Sequence, residues 1–185
     1  MGIRNSKGGS ILFVGLDGAG KTTILQTIRN EAFPNRKPTE GYTWALNAYR
    51  WKEFTFHIFD VGGGETQREL WKKTRCVTQG FLSGVMFVVD SSNVERLAEA
   101  RDFFRDVYSA LGGPLIPVMV VANKQDLPGA LTPYEIGREF SLSLPNSAMP
   151  FHVHGTSAID CRNLHEAMHK LCSMIKERAR IFKNM

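Results

Sequence analysis

The sequence predicts an α/β domain: an open, doubly wound sheet of six mostly parallel strands, one antiparallel edge hairpin, and helices on both faces. Three observations carry that prediction. Apolar runs such as Ile11 to Gly15 (ILFVG), Val85 to Asp90 (VMFVVD) and Pro117 to Asn123 (PVMVVAN) are continuous, as strands buried on both faces are. Helix-like stretches separate them, which is the strand–helix alternation of a parallel sheet. One region alternates strictly instead, and strict alternation marks a half-buried antiparallel pair.

Taken in order, Ile11 to Gly15 is a short strand ending at glycine. Lys21 to Asn30 reads as a helix with Ile24, Leu25 and Ile28 on one face. Two prolines make Phe33 to Gly41 a loop. Trp44, Leu46 and Ala48, then Phe54, Phe56 and Ile58, alternate about Arg50-Trp51-Lys52-Glu53, which predicts the hairpin. Val85 to Asp90 and Pro117 to Asn123 are central strands, and Phe151 to His154 is the last one. Val94 to Leu111, Pro133 to Leu142 and Asn163 to Phe182 are helical.

Composition supports one domain, expected over residues 11–178, with a flexible N-terminal segment (1–10) and a basic C-terminal end (179–185). A chain of 185 residues with 43% hydrophobic and 22% charged positions can bury about 70% of its unfolded surface without staples. No apolar run approaches the roughly 20 residues of a membrane span, and MGIRNSKGGS lacks the apolar core of a secretory signal. Cys76, Cys161 and Cys172 are scattered and odd in number, which argues against a disulfide framework and for a reducing compartment. The net charge of +5 sits at the ends. Residues 1–10 carry +2 and residues 170–185 carry +4, a distribution suited to an anionic surface. Nucleic acid is not the expected partner, because no basic patch interleaved with stacking aromatics accompanies that charge.

Gly15-Leu16-Asp17-Gly18-Ala19-Gly20-Lys21-Thr22 satisfies G-x-x-x-x-G-K-[ST] between a strand and a helix. Glycines let a backbone wrap a phosphate chain with successive N–H groups inward, and the helix N-terminus adds positive potential. Lys21 is expected to reach the β- and γ-phosphates and the Thr22 hydroxyl to ligate Mg²⁺, with Thr23 beside it. This loop alone fits kinases of the adenylate type, ATPases and GTPases. Asn123-Lys124-Gln125-Asp126, at the carboxyl end of a buried strand, narrows the choice. A carboxylate in the base plane accepts two hydrogen bonds from guanine's ring N–H and amino group, and adenine offers no such pair. Asp126 is the expected guanine reader, with Lys124 over the base and Asn123 bracing the loop.

From about Ile11 to Ile175 the chain resembles the small GTPases of the ADP-ribosylation factor (Arf and Arf-like) family, of the Ras superfamily. The resemblance rests on GLDGAGKTT, NKQD, Pro38-Thr39-Glu40-Gly41, Asp60-Val61-Gly62-Gly63, Leu70-Trp71 and Thr156-Ser157-Ala158, in family order. It implies a GTP/GDP switch: Thr39 closing over the γ-phosphate and Mg²⁺, Asp60 holding Mg²⁺ through water, and the Gly63 N–H on the γ-phosphate. Ser157 and the Ala158 N–H are implied at the base. An exchange factor, an activating protein and effectors are implied as partners of a monomer, and the hairpin is implied to slide in register between nucleotide states.

Departures from the family pattern carry their own expectations. Gly64 stands where the family has the glutamine that orients the attacking water, so slow hydrolysis is expected unless Glu65 or Gln67 substitutes. A GTP-locked scaffold is the alternative, and a nucleotide kinase the more distant one. The stretches from Gly41 to Asp60 and from Gly63 to Val85 are longer than the family norm, and Cys161-Arg162-Asn163 replaces a glycine-containing turn. Met1-Gly2-Ile3-Arg4-Asn5-Ser6 fits the N-myristoylation pattern with Gly2 as acceptor, but the short, polar segment cannot build the family's amphipathic N-terminal helix. One acyl chain anchors weakly, so the basic C-terminal helix is the expected second signal. The expected location is cytoplasmic, with reversible association to the Golgi, other endomembranes or the plasma membrane.

Overall fold

The apolar runs become the centre of one sheet in the computed structural model, which describes residues 8–32, 46–51, 54–60, 82–110, 116–142, 151–159 and 162–183. Its strands are β1 (Gly8–Gly15), β2 (Leu46–Trp51), β3 (Phe54–Asp60), β4 (Leu82–Asp90), β5 (Val118–Asn123) and β6 (Phe151–Gly155). The helices are α1 (Lys21–Ala32), α2 (Leu97–Ala110), α3 (Pro133–Glu139) and α4 (Arg162–Lys183), with a 3₁₀ turn over Val94–Arg96.

The six strands order as β2-β3-β1-β4-β5-β6. Every neighbouring pair is parallel except β2 with β3, which are antiparallel. β1 lies between β3 and β4, so the strand order reverses there and leaves a crevice beyond its carboxyl end.

Side-chain alternation divides the interior into two cores. Ile11 and Phe13, Met86 and Val88, and Met119 and Val121 face α1 and α4, meeting Ile24, Ile28, Leu164, Met168 and Leu171. Leu12 and Val14, Val85, Phe87 and Val89, and Val118, Val120 and Ala122 face α2 and α3, meeting Phe103, Phe104, Val107, Ile136 and Phe140. Burial on both faces is why these strands read as continuous apolar runs.

Several boundaries differ from the sequence reading. β1 begins at Gly8 and β4 at Leu82, each three residues earlier than expected. Pairing is a backbone property, and Gly8, Gly9 and Ser10 pair with Thr55, Phe56 and His57 without any apolar signal. Gly84 packs beneath α4, where a Cβ would stand 3.1 Å from Leu171 and 3.2 Å from Ile175. The helix expected from Val94 opens as a 3₁₀ turn capped by Asn93, whose Oδ1 accepts from the Arg96 N–H at 3.2 Å. α3 stops at Glu139 rather than Leu142, and α4 runs from Arg162 to Lys183, one residue longer at each end than the expected Asn163 to Phe182. In the hairpin Arg50 and Trp51 pair with Thr55 and Phe54, so the strands extend further towards the turn than the alternation indicates.

Candidate functional site

The glycine-rich loop joins β1 to α1 at the reversal point of the sheet. Gly15 has φ 155°, and a Cβ there would run into the Val88 carbonyl of β4. Gly20 has φ 94°, and a Cβ there would collide with the Asn123 side-chain amide. Gly18 also takes a positive φ, 73°, in open space. The loop is therefore a tight cradle that only glycine permits at two points. Lys21 is buried, and its Nζ donates to the carbonyls of Gly15 (3.1 Å) and Leu16 (2.9 Å). Ala19 is buried, its N–H on the Leu16 carbonyl (3.3 Å), while Thr22 and Thr23 are exposed in the first turn of α1. A buried ammonium, a helix N-terminus and a curved run of backbone together complement an anion.

Asn123 joins this loop to the base loop. Fully buried at the end of β5, it donates from Nδ2 to the Ala19 carbonyl (2.8 Å). Its Oδ1 accepts from the Thr156 hydroxyl (3.2 Å) and the Ala158 N–H (3.1 Å). The Ala158 amide, expected at a guanine carbonyl, is thus engaged by Asn123, because a buried amide oxygen must find donors. Thr27 of α1 ties the same segment down by donating to the Ala158 carbonyl (2.9 Å). Asp126 is exposed, and its Oδ1 accepts from the Ser157 hydroxyl at 2.6 Å.

Lys124 adopts φ 65°, and its Nζ pairs with Asp90 Oδ2 at 2.6 Å. Its charged end is therefore committed to a carboxylate. Asp90 and Asn123 are register partners at the ends of β4 and β5, which brings Asp90 beside Lys124. Burial pushes the Asp90 carboxyl upward, but the Lys124 ammonium and the Ser92 hydroxyl and N–H outweigh it and hold the group below the usual range.

Sequence reasoning missed three members of this constellation. Asp90 ends a predicted strand level with NKQD, a position that could have marked it. Arg96 forks onto Asp17 of the phosphate loop, and Glu99 braces Arg96 from behind. The signal available was a lone carboxylate in a phosphate-binding loop, which calls for a countercharge. Asp60 pairs in register with Phe13, so its backbone ends β3 beside the phosphate loop. Thr39, Gly63, Gly64 and Gly2 lie outside the described residues, as do Glu65 and Gln67.

A phosphate cradle at a sheet reversal, locked by Asn123 to a second loop that presents a carboxylate, defines a P-loop nucleotide-binding domain. A profile of the ADP-ribosylation factor family matches residues 2–175. Human ADP-ribosylation factor-like protein 4A is 38% identical over 177 residues, 94% of this chain and 86% of that protein. Human ADP-ribosylation factor-like protein 4C is also 38% identical, covering 94% of this chain and 90% of its own length. The solved Arl6 BBS3 small GTPase from Trypanosoma brucei, bound to the nucleotide analogue GppNp, superimposes with a TM-score of 0.77. It is 25% identical and covers 92% of this chain and 99% of that structure. The chain belongs to the ADP-ribosylation factor family, and it is accordingly a GTP-binding regulatory switch of the small GTPase class.

Proposed function

We propose that this chain is an Arf-like switch with a long-lived GTP state, acting reversibly at a membrane surface in vesicle or organelle traffic. The observation that carries the nucleotide reading is the Asn123 lock, which holds the phosphate loop and the base loop as one body. Within it, Gly15, Asp17, Gly18, Ala19, Gly20 and Lys21 would supply backbone and charge to the phosphates. Asp126 would read guanine, with Ser157 orienting its carboxylate. The GppNp held by the Trypanosoma relative supports a guanosine triphosphate here. Thr22 and Thr39, with Asp60 through water, would hold Mg²⁺, which when bound neutralises phosphate charge.

Slow turnover rests on Gly64. Glycine orients no water, and positioning is most of what such a site contributes to phosphoryl transfer. Single-turnover hydrolysis of GTP should accelerate about tenfold or more in Gly64→Gln. An unchanged rate would remove this account. Undetectable hydrolysis by wild type over many hours would favour the second reading, a GTP-locked scaffold, which the same glycine supports.

Membrane association is proposed through a myristoyl group on Gly2 and the basic face of α4. Lys170, Lys176 and Arg180 are exposed there, whereas Leu171 and Met174 are buried and Ile175 packs against the same core, so this face would act by charge rather than insertion. Each exposed cation near an anionic leaflet contributes about 1 kcal/mol. Among the described residues no helix is long and apolar enough to cross a membrane. Flotation with anionic liposomes should be strong at low salt, weak at high salt, and reduced in Gly2→Ala. Equal flotation of both proteins would end the lipid half of the proposal. Exchange factors, activating proteins and effectors of the family's kinds are the proposed partners.

A further inference from the structure

The geometry points to Arg96 as a positioning residue of the nucleotide site: by forking onto Asp17 it cancels the only carboxylate in the phosphate loop and so prolongs nucleotide residence. This rests on the reading of Gly15 to Thr22 as a phosphate cradle. Arg96 closes the 3₁₀ turn after β4, 79 positions along the chain from Asp17. One terminal nitrogen donates to Asp17 Oδ1 at 2.9 Å. The other donates to Oδ2 at 3.2 Å and to the Asp17 carbonyl at 3.4 Å. The third nitrogen, Nε, donates to Glu99 Oε2 at 2.8 Å, which fixes the plane in which the fork is presented. Asn93 holds the Arg96 backbone through its cap, and three residues earlier Asp90 holds Lys124 of the base loop. One short segment therefore grips both nucleotide-binding loops.

The chemistry explains why this grip matters to a ligand. A loop whose backbone surrounds a polyanion keeps an outward-facing side chain such as Asp17 within range of that charge's field, and a bare carboxylate there repels phosphate. The Arg96 hydrogen bond, ahead of its longer-range attraction, holds the Asp17 carboxyl below its usual range despite some burial, so the pair is ionised under ordinary conditions. A simple exposed ion pair contributes little, and these side chains are 35% and 60% exposed. This one differs in being bidentate, in reaching the loop backbone, and in being braced by a second carboxylate. A lysine, carrying one point charge, could not reproduce the fork.

The test uses the full chain loaded with a fluorescent GDP analogue in Mg²⁺, with release followed after adding excess unlabelled GTP. Wild-type loading tests the phosphate-cradle reading itself. If wild type takes up no guanine nucleotide, that reading falls before the role of Arg96 is at issue. Given loading, Arg96→Gln should release nucleotide about tenfold faster at low salt, the difference shrinking as salt screens the exposed carboxylate. Adding Asp17→Asn to Arg96→Gln should restore most of the retention, and Arg96→Lys should fall between wild type and Arg96→Gln. A merely structural arginine would give neither salt dependence nor rescue. Release from Arg96→Gln at the wild-type rate, or a double variant no slower than Arg96→Gln, would overturn the inference.

Discussion

Asn123 shows how much of the site one side chain can hold. Its amide is fully buried and satisfies the Ala19 carbonyl, the Thr156 hydroxyl and the Ala158 N–H. Removing it leaves three polar groups without their partner, and each such loss costs about 1–3 kcal/mol. Asn123→Ala should therefore lose about 3 kcal/mol or more of stability, read as a lower urea midpoint at fixed GDP. Nucleotide release should quicken with it, since the two loops would no longer be joined. Stability within about 0.5 kcal/mol of wild type would show that the lock carries no load. At this scale the sequence was informative about types and silent about partners. NKQD and GLDGAGKTT were visible as patterns. That the asparagine of one touches the alanine of the other was not, because 104 residues separate them and only strand pairing brings them together.

At the scale of the element, α3 illustrates a start that local chemistry fixes and an end that runs against it. Thr132 and Glu135 form a reciprocal capping box, with Pro133 in the first turn. At the other end Ser141 takes φ 56°, its N–H reaches the Arg138 carbonyl (3.0 Å), and the Leu142 N–H reaches the Gly137 carbonyl (2.9 Å). That closure normally uses glycine, and a residue with a Cβ in the left-handed region costs about 1 kcal/mol. Ser141→Gly should raise stability by up to about 1 kcal/mol, measured as an increase in Tm, with no change in nucleotide release. A decrease would mean that the serine side chain contributes something the backbone geometry does not reveal. The expected helix ran to Leu142 because apolar periodicity continues past Phe140. The structure ends it earlier because Ser141 turns the chain, which periodicity does not register.

Across the whole molecule, stability follows the two cores, and pH acts on it through a group at the sheet edge. His152 lies on β6, where burial first, and then Lys170 and His154, hold its pKa below the ordinary 6.5. The unfolded chain therefore binds its proton at a higher pH than the folded one. The sign follows: this contribution to stability is complete above about pH 6.5 and is lost as pH falls through the lowered native value. His152→Gln should flatten the loss of Tm between neutral and mildly acidic pH. A wild-type slope retained in that variant would assign the effect to another group.

The sequence by itself determined the order of strands and helices, the glycine cradle, the NKQD loop and the family, because each is written in residues close together along the chain. Only the tertiary structure decided that Arg96 meets Asp17, that Asp90 meets Lys124, and that Asn123 meets Ala19 and Ala158. Periodicity and motif spacing report which face or turn a residue occupies. Which charge or hydrogen-bond donor lies across from it depends on the register of parallel strands whose crossovers pass through whole helices, and that register is set by the packing of both cores at once.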